Sequence, residues 1–258
     1  MSLNEYLLFN TKKHDKNQLS YYLIDEIANR LISKLDFVNL ACQRILLDGF
    51  WSYASIKFLE KRYPNSQIFY QMPRGFSLSP TIESVQVVNG AEKDASYQFD
   101  LVLSNLYLHH FQSAESHLQH LKRHLSDHGG LFFVSIGPNT LFPATSRVQR
   151  PSNWMDMHDV GDVLRKIYFK DPVMDAEIIN IHHKSYQQFS CDISFICVLL
   201  AIDSLDDEFK KDLYAKLQAN NPMPIEIVYG HAWQQKLEQR HLENEVYVSL
   251  KTLKRHKE

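Results

Sequence analysis

Apolar residues recur with two different periods along the first half of the chain. Within residues 19–35 they recur every fourth residue, at Leu23, Ile27, Leu31 and Leu35, which predicts an amphipathic helix. Short apolar runs then predict five strands, over 44–48, 67–72, 83–89, 99–105 and 130–136. Helical patterns separate the first strand from the second, at 55–63, and the fourth from the fifth, at 113–125. Strands that alternate with helices favour a parallel sheet with helices on both faces.

The second half of the chain continues with helical and strand patterns. DHGG (127–130) is interpreted as the end of the helix over 113–125, with glycine in a left-handed cap. The apolar stretch 193–202 is too short to cross a membrane and is predicted to be a buried helix. The remaining predictions are a helix over 159–167, a strand over 176–182, a helix over 204–219, a strand over 225–229 and an edge strand over 245–250.

Neither an internal repeat nor a low-complexity linker divides the 258 residues. We therefore expect a single domain over residues 1–258. It would consist of an N-terminal helical segment (1–38), a core (39–182), and C-terminal helices with the last strands (183–258).

Composition narrows the class of protein. Hydrophobic residues make up 44% and charged residues 22%, which is typical of a globular chain with a real core. The net charge of -2 argues against a dedicated nucleic-acid binder, which usually carries a basic excess. The three cysteines form no CxxC pair, and the first residues resemble no secretory signal. We expect a cytoplasmic protein with no membrane segment.

Four stretches resemble known sequences. FDLVLSNLYLHHFQ (99–112) and HLKRHLSDHGGLFFVSIGPNTL (120–141) are similar to the fourth and fifth strands of class I methyltransferases and the helix between them. DMHDVGDVLRKIYFKDPVMDAE (156–177) and IEIVYGHAW (225–233) are more specific, because they resemble the malonyl-[acyl-carrier protein] O-methyltransferases of biotin synthesis (BioC).

The resemblance implies a fold and a reaction. The fold would be α/β and Rossmann-like: a seven-stranded, mostly parallel sheet with helices on both faces and a C-terminal antiparallel hairpin. S-adenosylmethionine would be the methyl donor, and the acceptor would be the free carboxylate of a malonyl thioester on acyl-carrier protein. Because a carboxylate is already ionised near neutral pH, the protein would act mainly by positioning it, and no catalytic side chain is predicted.

The loop after the first strand departs from the pattern that the resemblance implies. Relatives have an acidic residue and three alternating glycines there, which let the backbone approach the cofactor closely. Aligned on the RYP of residues 62–64, only Gly49 remains in place. Trp51 and Tyr53 stand at the other two glycine positions, and Asp48 supplies an acid only with a one-residue shift.

Two further cofactor positions also depart from that pattern. The acidic residue that would bind the ribose hydroxyls is replaced by Met72, and the aspartate beside the adenine by Gly90, with Glu92 nearby. Ser104 and Asn105 are the polar residues at the carboxyl end of the predicted fourth strand, where they are expected to face the cofactor.

Two interpretations of these departures remain open. In the simpler one, the rings of Trp51 and Tyr53 fill the cofactor pocket, and the chain is a non-catalytic pseudo-methyltransferase that binds a protein partner and no S-adenosylmethionine. In the other, the loop is rebuilt and one of these rings stacks on the adenine.

Histidines are concentrated near the predicted fourth strand. His109 and His110 follow it at the edge where ligands bind in such sheets, so they either contact the acceptor or are simply loop residues. Four more lie opposite the leucines of the next helix and are predicted to face solvent: His117, His120, His124 and His128. No metal site is expected there, since no carboxylate or cysteine completes the set.

Overall fold

The computed structural model of the chain describes residues 19–38, 40–73, 82–88, 98–141, 151–203, 205–218 and 222–234. Within them, seven strands form one sheet in the order β3-β2-β1-β4-β5-β7-β6. Their bounds are β1 Arg44–Gly49, β2 Gln67–Gln71, β3 Val85–Val87, β4 Phe99–Asn105, β5 Leu125–Ile136, β6 Phe169–Ile181 and β7 Met223–Gln234. Strands β1 to β5 pair in parallel, and β7 is antiparallel to both β5 and β6. The predicted α/β class and the antiparallel C-terminal pair are confirmed.

Helices cover both faces of this sheet. Successive side chains of a strand point to opposite faces, so Ile45 and Leu47 pack in one apolar core and Leu46 in the other. The first core is covered by α1 (Leu19–Lys34), α2 (Tyr53–Arg62), α5 (Tyr186–Leu199) and α6 (Asp207–Gln218), and the second by α3 (Ala114–Arg123) and α4 (Met157–Lys166). Both faces of β1 and β4 are therefore buried, which accounts for their nearly continuous apolar sequences.

Helix α2 begins directly after the loop that follows β1. Its N-cap, Ser52, has an extended backbone and accepts a hydrogen bond from the Ser55 amide, and the Ser55 side chain returns the contact in a capping box. The helix ends at Arg62, two residues before Pro64, which is poorly tolerated inside a helix. The loop is therefore held between a strand end and a firmly capped helix.

The assignment of DHGG as a helix cap is wrong. Helix α3 ends at Arg123, and residues 127–130 lie inside β5, beside a register shift in its pairing with β4. The glycines of this segment allow close packing against neighbouring strands and do not have a left-handed backbone. A Cβ on Gly129 would lie 2.8 Å from the Phe99 carbonyl oxygen.

The solvent-facing prediction for the α3 histidines is also wrong for two of them. His117 and His124 are buried, His120 is half-buried, and His128 lies in β5. The ring of His117 is tolerated between helix α3 and the sheet because the carboxylate of Asp48, at the end of β1, is its partner. A helical wheel counts a histidine as polar and does not show such a partner.

The other predicted elements are found with shifted ends. The apolar stretch at 193–202 begins in the second half of α5 and extends past its end, and the strand predicted over 225–229 lies within the longer β7. The edge strand predicted over 245–250 lies outside the described residues. None of the helices in the described ranges is long and apolar enough to cross a membrane.

Candidate functional site

The candidate site lies where the strand order of the sheet reverses. From β1 the chain continues to β2 and β3 on one side, whereas β4 and β5 lie on the other side. In doubly wound sheets, ligands bind beyond the carboxyl ends of the strands at such a switch point. The loop after β1 and the ends of β2 and β4 are therefore the places where cofactor contacts are expected.

Gly49 makes the tight turn at the end of β1. Its φ is +90°, a left-handed conformation that side chains with a Cβ rarely adopt. A Cβ there would lie 2.4 Å from the Asn105 carbonyl oxygen and 2.5 Å from the Tyr107 Cβ. This one glycine of the expected pattern is required by the fold itself.

The polar backbone groups of the loop are hydrogen-bonded to neighbouring strands. The Phe50 amide donates to the Asn105 carbonyl oxygen (2.9 Å), and the Asn105 side-chain amide donates back to the Phe50 carbonyl (2.7 Å). The Tyr70 hydroxyl donates to the Gly49 carbonyl (2.9 Å) and accepts from the Trp51 amide (3.2 Å). The loop is thus tied to both β2 and β4.

Trp51 and Tyr53 have different environments. Trp51 is 0% exposed, lies in the first core, and donates from its indole nitrogen to the Asp48 carbonyl oxygen at 3.0 Å. Tyr53 is 38% exposed, with the Lys57 ammonium 5.8 Å from the centre of its ring. The interpretation that both rings fill the site is therefore corrected, because only Trp51 is buried.

Asp48 and Ser104 face the opposite side of the sheet from Trp51, towards helix α3. One carboxylate oxygen of Asp48 accepts a hydrogen bond from the Ser104 hydroxyl (2.7 Å) and lies 2.8 Å from His117 Nε2. Since a carboxylate only accepts, His117 Nε2 carries the proton. All three residues are buried. The three residues form a buried hydrogen-bonded group between the sheet and helix α3. The sequence pattern predicts His117 on the solvent side of the helix and does not reveal this contact.

The ends of β2 and β4 supply amide rather than carboxylate groups. Gln71 and the half-buried Met72 stand where the resemblance implies an acidic residue. The buried side-chain oxygens of Gln71 and Asn105 have no hydrogen-bond donor among the described residues. Gly90 and Glu92, the other two predicted cofactor residues, lie outside them.

His109 and His110 hold the end of helix α5. Both Nε2 atoms lie near the Leu199 carbonyl oxygen, at 2.6 Å for His109 and 3.2 Å for His110. The Ile136 amide donates to His109 Nδ1 at 3.4 Å, so both ring nitrogens of His109 contact protein groups. Only His110 is partly exposed, and its ring centre lies 5.2 Å from that of Phe50.

Burial disfavours the charged form of both rings. It lowers the pKa of His109 well below its usual value, with His110 adding repulsion, and it lowers the pKa of His110 to about 4. The pair is therefore neutral near physiological pH and provides hydrogen-bonding groups for the Leu199 carbonyl oxygen at the end of the helix.

We expect His110 to make the folded state less stable in mild acid. Its pKa is about 4 when folded, against about 6.5 in an unfolded chain, so the unfolded state binds more protons as pH falls through this window. The free energy of unfolding should drop by about 2 kcal/mol between pH 7 and pH 5 from this group. Urea unfolding at the two pH values measures it.

The matched variants are His110→Phe and His128→Phe. The first keeps an aromatic ring beside Phe50 but removes the titrating group, so the pH-dependent loss should shrink. The second changes an exposed position of β5 and should leave the loss as in the wild type. Equal pH dependence in both variants would contradict the role given to His110.

The described residues depart in two respects from the cofactor contacts that the resemblance implies. The indole of Trp51 stands at the second glycine position, and no carboxylate stands at the end of β2. The features that do match are the turn at Gly49 and an unused acceptor oxygen on Asn105.

Comparisons with known proteins support the fold and the resemblance. No protein-family model matches the chain. A malonyl-[acyl-carrier protein] O-methyltransferase of Legionella pneumophila is 28% identical, with 83% of this chain and 86% of the relative covered. A malonyl-[acyl-carrier protein] O-methyltransferase 1 of Coxiella burnetii is 29% identical, with 80% and 79% covered. The resemblance drawn from the sequence is confirmed.

Solved structures of methyltransferases share the fold. The plantazolicin methyltransferase BpumL, solved with S-adenosylhomocysteine, superposes with a TM-score of 0.51 at 12% identity, over 90% of both chains. Phosphoethanolamine N-methyltransferase 2 of Haemonchus contortus, also solved with S-adenosylhomocysteine, gives a TM-score of 0.52 at 15% identity, over 92% of this chain and 61% of the other. At this identity the likeness shows a class I methyltransferase fold.

Proposed function

We propose that this chain is a cytoplasmic methyltransferase that transfers a methyl group from S-adenosylmethionine to the free carboxylate of a malonyl thioester on acyl-carrier protein. The observation that carries the proposal is its similarity, over about four fifths of its length, to relatives named for this reaction. The fold, which resembles that of a solved methyltransferase over 90% of the chain, supports it.

Such a reaction depends on how the protein positions the acceptor carboxylate more than on acid or base catalysis. The acceptor carboxylate is ionised near neutral pH, so no group of the chain has to remove a proton from it. Among the predicted acceptor contacts, His110 is the better placed, because its ring is partly exposed, whereas that of His109 is fully buried. The acceptor would have to be oriented with its negative charge towards the switch point.

The proposal predicts a product that mass spectrometry detects. The purified chain, incubated with S-adenosylmethionine and malonyl-acyl-carrier protein, should yield carrier protein that is heavier by one methyl group. Acetyl-acyl-carrier protein has no free carboxylate and serves as the matched control, which should stay unmodified. If malonyl-acyl-carrier protein also stays unmodified at millimolar S-adenosylmethionine, while a related enzyme converts it in parallel, the proposal fails.

A second candidate function is a non-catalytic protein that keeps this fold to bind a partner. The comparisons give it no support, and it rests on the departure of Trp51, buried in the loop after β1, from the glycine expected there. The two candidates differ in one assay. Binding of malonyl-acyl-carrier protein, followed by fluorescence anisotropy, without any methylated product would favour the second, and methylated product would exclude it.

A further inference from the structure

We infer that side chains of this protein occupy the cofactor position at the switch point, and that Trp51 is the group that limits access of S-adenosylmethionine to it. The identity of the ligand rests on the proposed function, whereas the occupied position rests on geometry. Trp51 would limit the binding of the methyl donor and not that of the acceptor.

The first observation is the placement of the Trp51 ring. The loop after the first strand is where this class of sheet brings its backbone close to a ligand, and small residues there make room for it. Trp51 places a large side chain in this loop, fully buried and fixed by its indole hydrogen bond to the Asp48 carbonyl. A ligand that approaches the loop backbone would have to displace this ring.

The second observation is that the loop amides and carbonyls are already paired. Tyr70 bridges the Gly49 carbonyl and the Trp51 amide, and Asn105 pairs with both polar backbone atoms of Phe50. Burial raises the pKa of the Tyr70 hydroxyl, which therefore keeps its proton for the bond to Gly49. Backbone groups that would otherwise contact a ligand are used to hold the loop closed.

The third observation concerns the N-terminus of helix α2, which has 10 residues. Helix N-termini attract negatively charged groups because their first amides are unpaired and the helix dipole is positive there. Asp25 of helix α1 already occupies this end, where its carboxylate accepts a hydrogen bond from the hydroxyl of the N-cap residue Ser52. A carboxylate of the chain thus stands where an anionic part of a ligand would be favoured.

A fourth observation indicates that the position still suits a ligand. The buried side-chain oxygen of Asn105 has no hydrogen-bond donor among the described residues. Buried acceptors are normally paired, so an unused one beside the loop fits a donor group on a ligand. Removal of the Trp51 ring should therefore expose a site that can bind and not merely a cavity.

The test is the affinity of the full chain for S-adenosylhomocysteine, measured by isothermal titration. If binding requires a minor open state, the apparent affinity falls by the fraction of molecules in that state, so Trp51→Gly should bind about tenfold more tightly or better. Trp154→Gly is the matched control. Trp154 is another buried tryptophan whose indole donates to a backbone carbonyl, that of Leu200, and its loss should leave the affinity unchanged.

A milder variant covers the case in which Trp51→Gly does not fold. Tyr70→Phe keeps the ring in the core and removes only the hydroxyl that holds Gly49 and Trp51. It should also bind S-adenosylhomocysteine more tightly than the wild type. Circular dichroism shows which variants are folded, and folded variants that bind no more tightly than the wild type overturn the inference.

The binding measurement tests the role of Trp51, and the methyl-transfer assay tests the proposed function, so each can fail without the other. Tighter binding by Trp51→Gly without methylated product from any form would support the inference and contradict the proposed function. Methylated product from a wild type that binds S-adenosylhomocysteine as tightly as Trp51→Gly would support the function and overturn the inference.

Discussion

His117→Ala is expected to lower the free energy of unfolding by about 3–5 kcal/mol, as measured by urea unfolding at neutral pH. His117 is the partner of a carboxylate that has no access to water, since Asp48 is 0% exposed. One oxygen of that carboxylate already has no hydrogen-bond donor among the described residues. After the substitution only the Ser104 hydroxyl would compensate the buried charge, and burying an uncompensated charge is costly.

Two further variants separate this pairing from a general effect of α3. His120→Ala changes a half-buried histidine on the same helix and should cost about 1 kcal/mol or less. His117→Gln keeps a side-chain N–H that can donate to the carboxylate and should recover part of the loss. Similar losses for His117→Ala and His120→Ala would show that the contact with Asp48 contributes little.

Gly49→Ala is expected to destabilise the fold by about 3 kcal/mol or more, again measured by urea unfolding. The added Cβ would require a left-handed backbone and would collide with the Asn105 carbonyl oxygen at 2.4 Å. This oxygen belongs to the neighbouring strand β4 and accepts a hydrogen bond from the Phe50 amide, so it cannot move without opening the loop.

Gly161→Ala is the control for this substitution. Gly161 is a buried glycine in helix α4, and a Cβ there would meet only the Met174 side chain, at 3.3 Å. Alanine is favoured over glycine inside a helix, so this variant should stay within about 1 kcal/mol of the wild type. If the two alanine variants lose equal stability, the backbone strain assigned to Gly49 is not its main role.

Part of the candidate site could be predicted from residue types alone. Gly49 as the one retained glycine, and the absence of an acidic residue at the end of β2, depend only on local order along the chain. The different burial of the Trp51 and Tyr53 side chains could not be predicted in this way. Both are aromatic residues at glycine positions, and only the packing of the first core determines that one is buried and the other is at the surface.

The burial of His117 on the other face of the sheet also depends on a residue distant in sequence. Periodicity correctly predicted an amphipathic helix near residues 113–125, because an apolar stripe is visible in a short window. It placed His117 on the solvent side, because the partner that makes its burial tolerable lies 69 residues away in sequence, at the end of β1. Asp48, the candidate acid of the loop after β1, contacts this helix through His117.

The class of the fold follows from residue order along the chain, since the alternation of strand and helix periods arises from neighbouring residues and specifies a wound, mostly parallel sheet. The family resemblance likewise depends on four stretches of sequence. Which side chains occupy the end of the sheet depends instead on contacts between distant parts of the chain. Residues 25, 51, 70 and 105 come from four separate elements, and they meet there because the strand order brings the ends of β1, β2 and β4 together under helix α1.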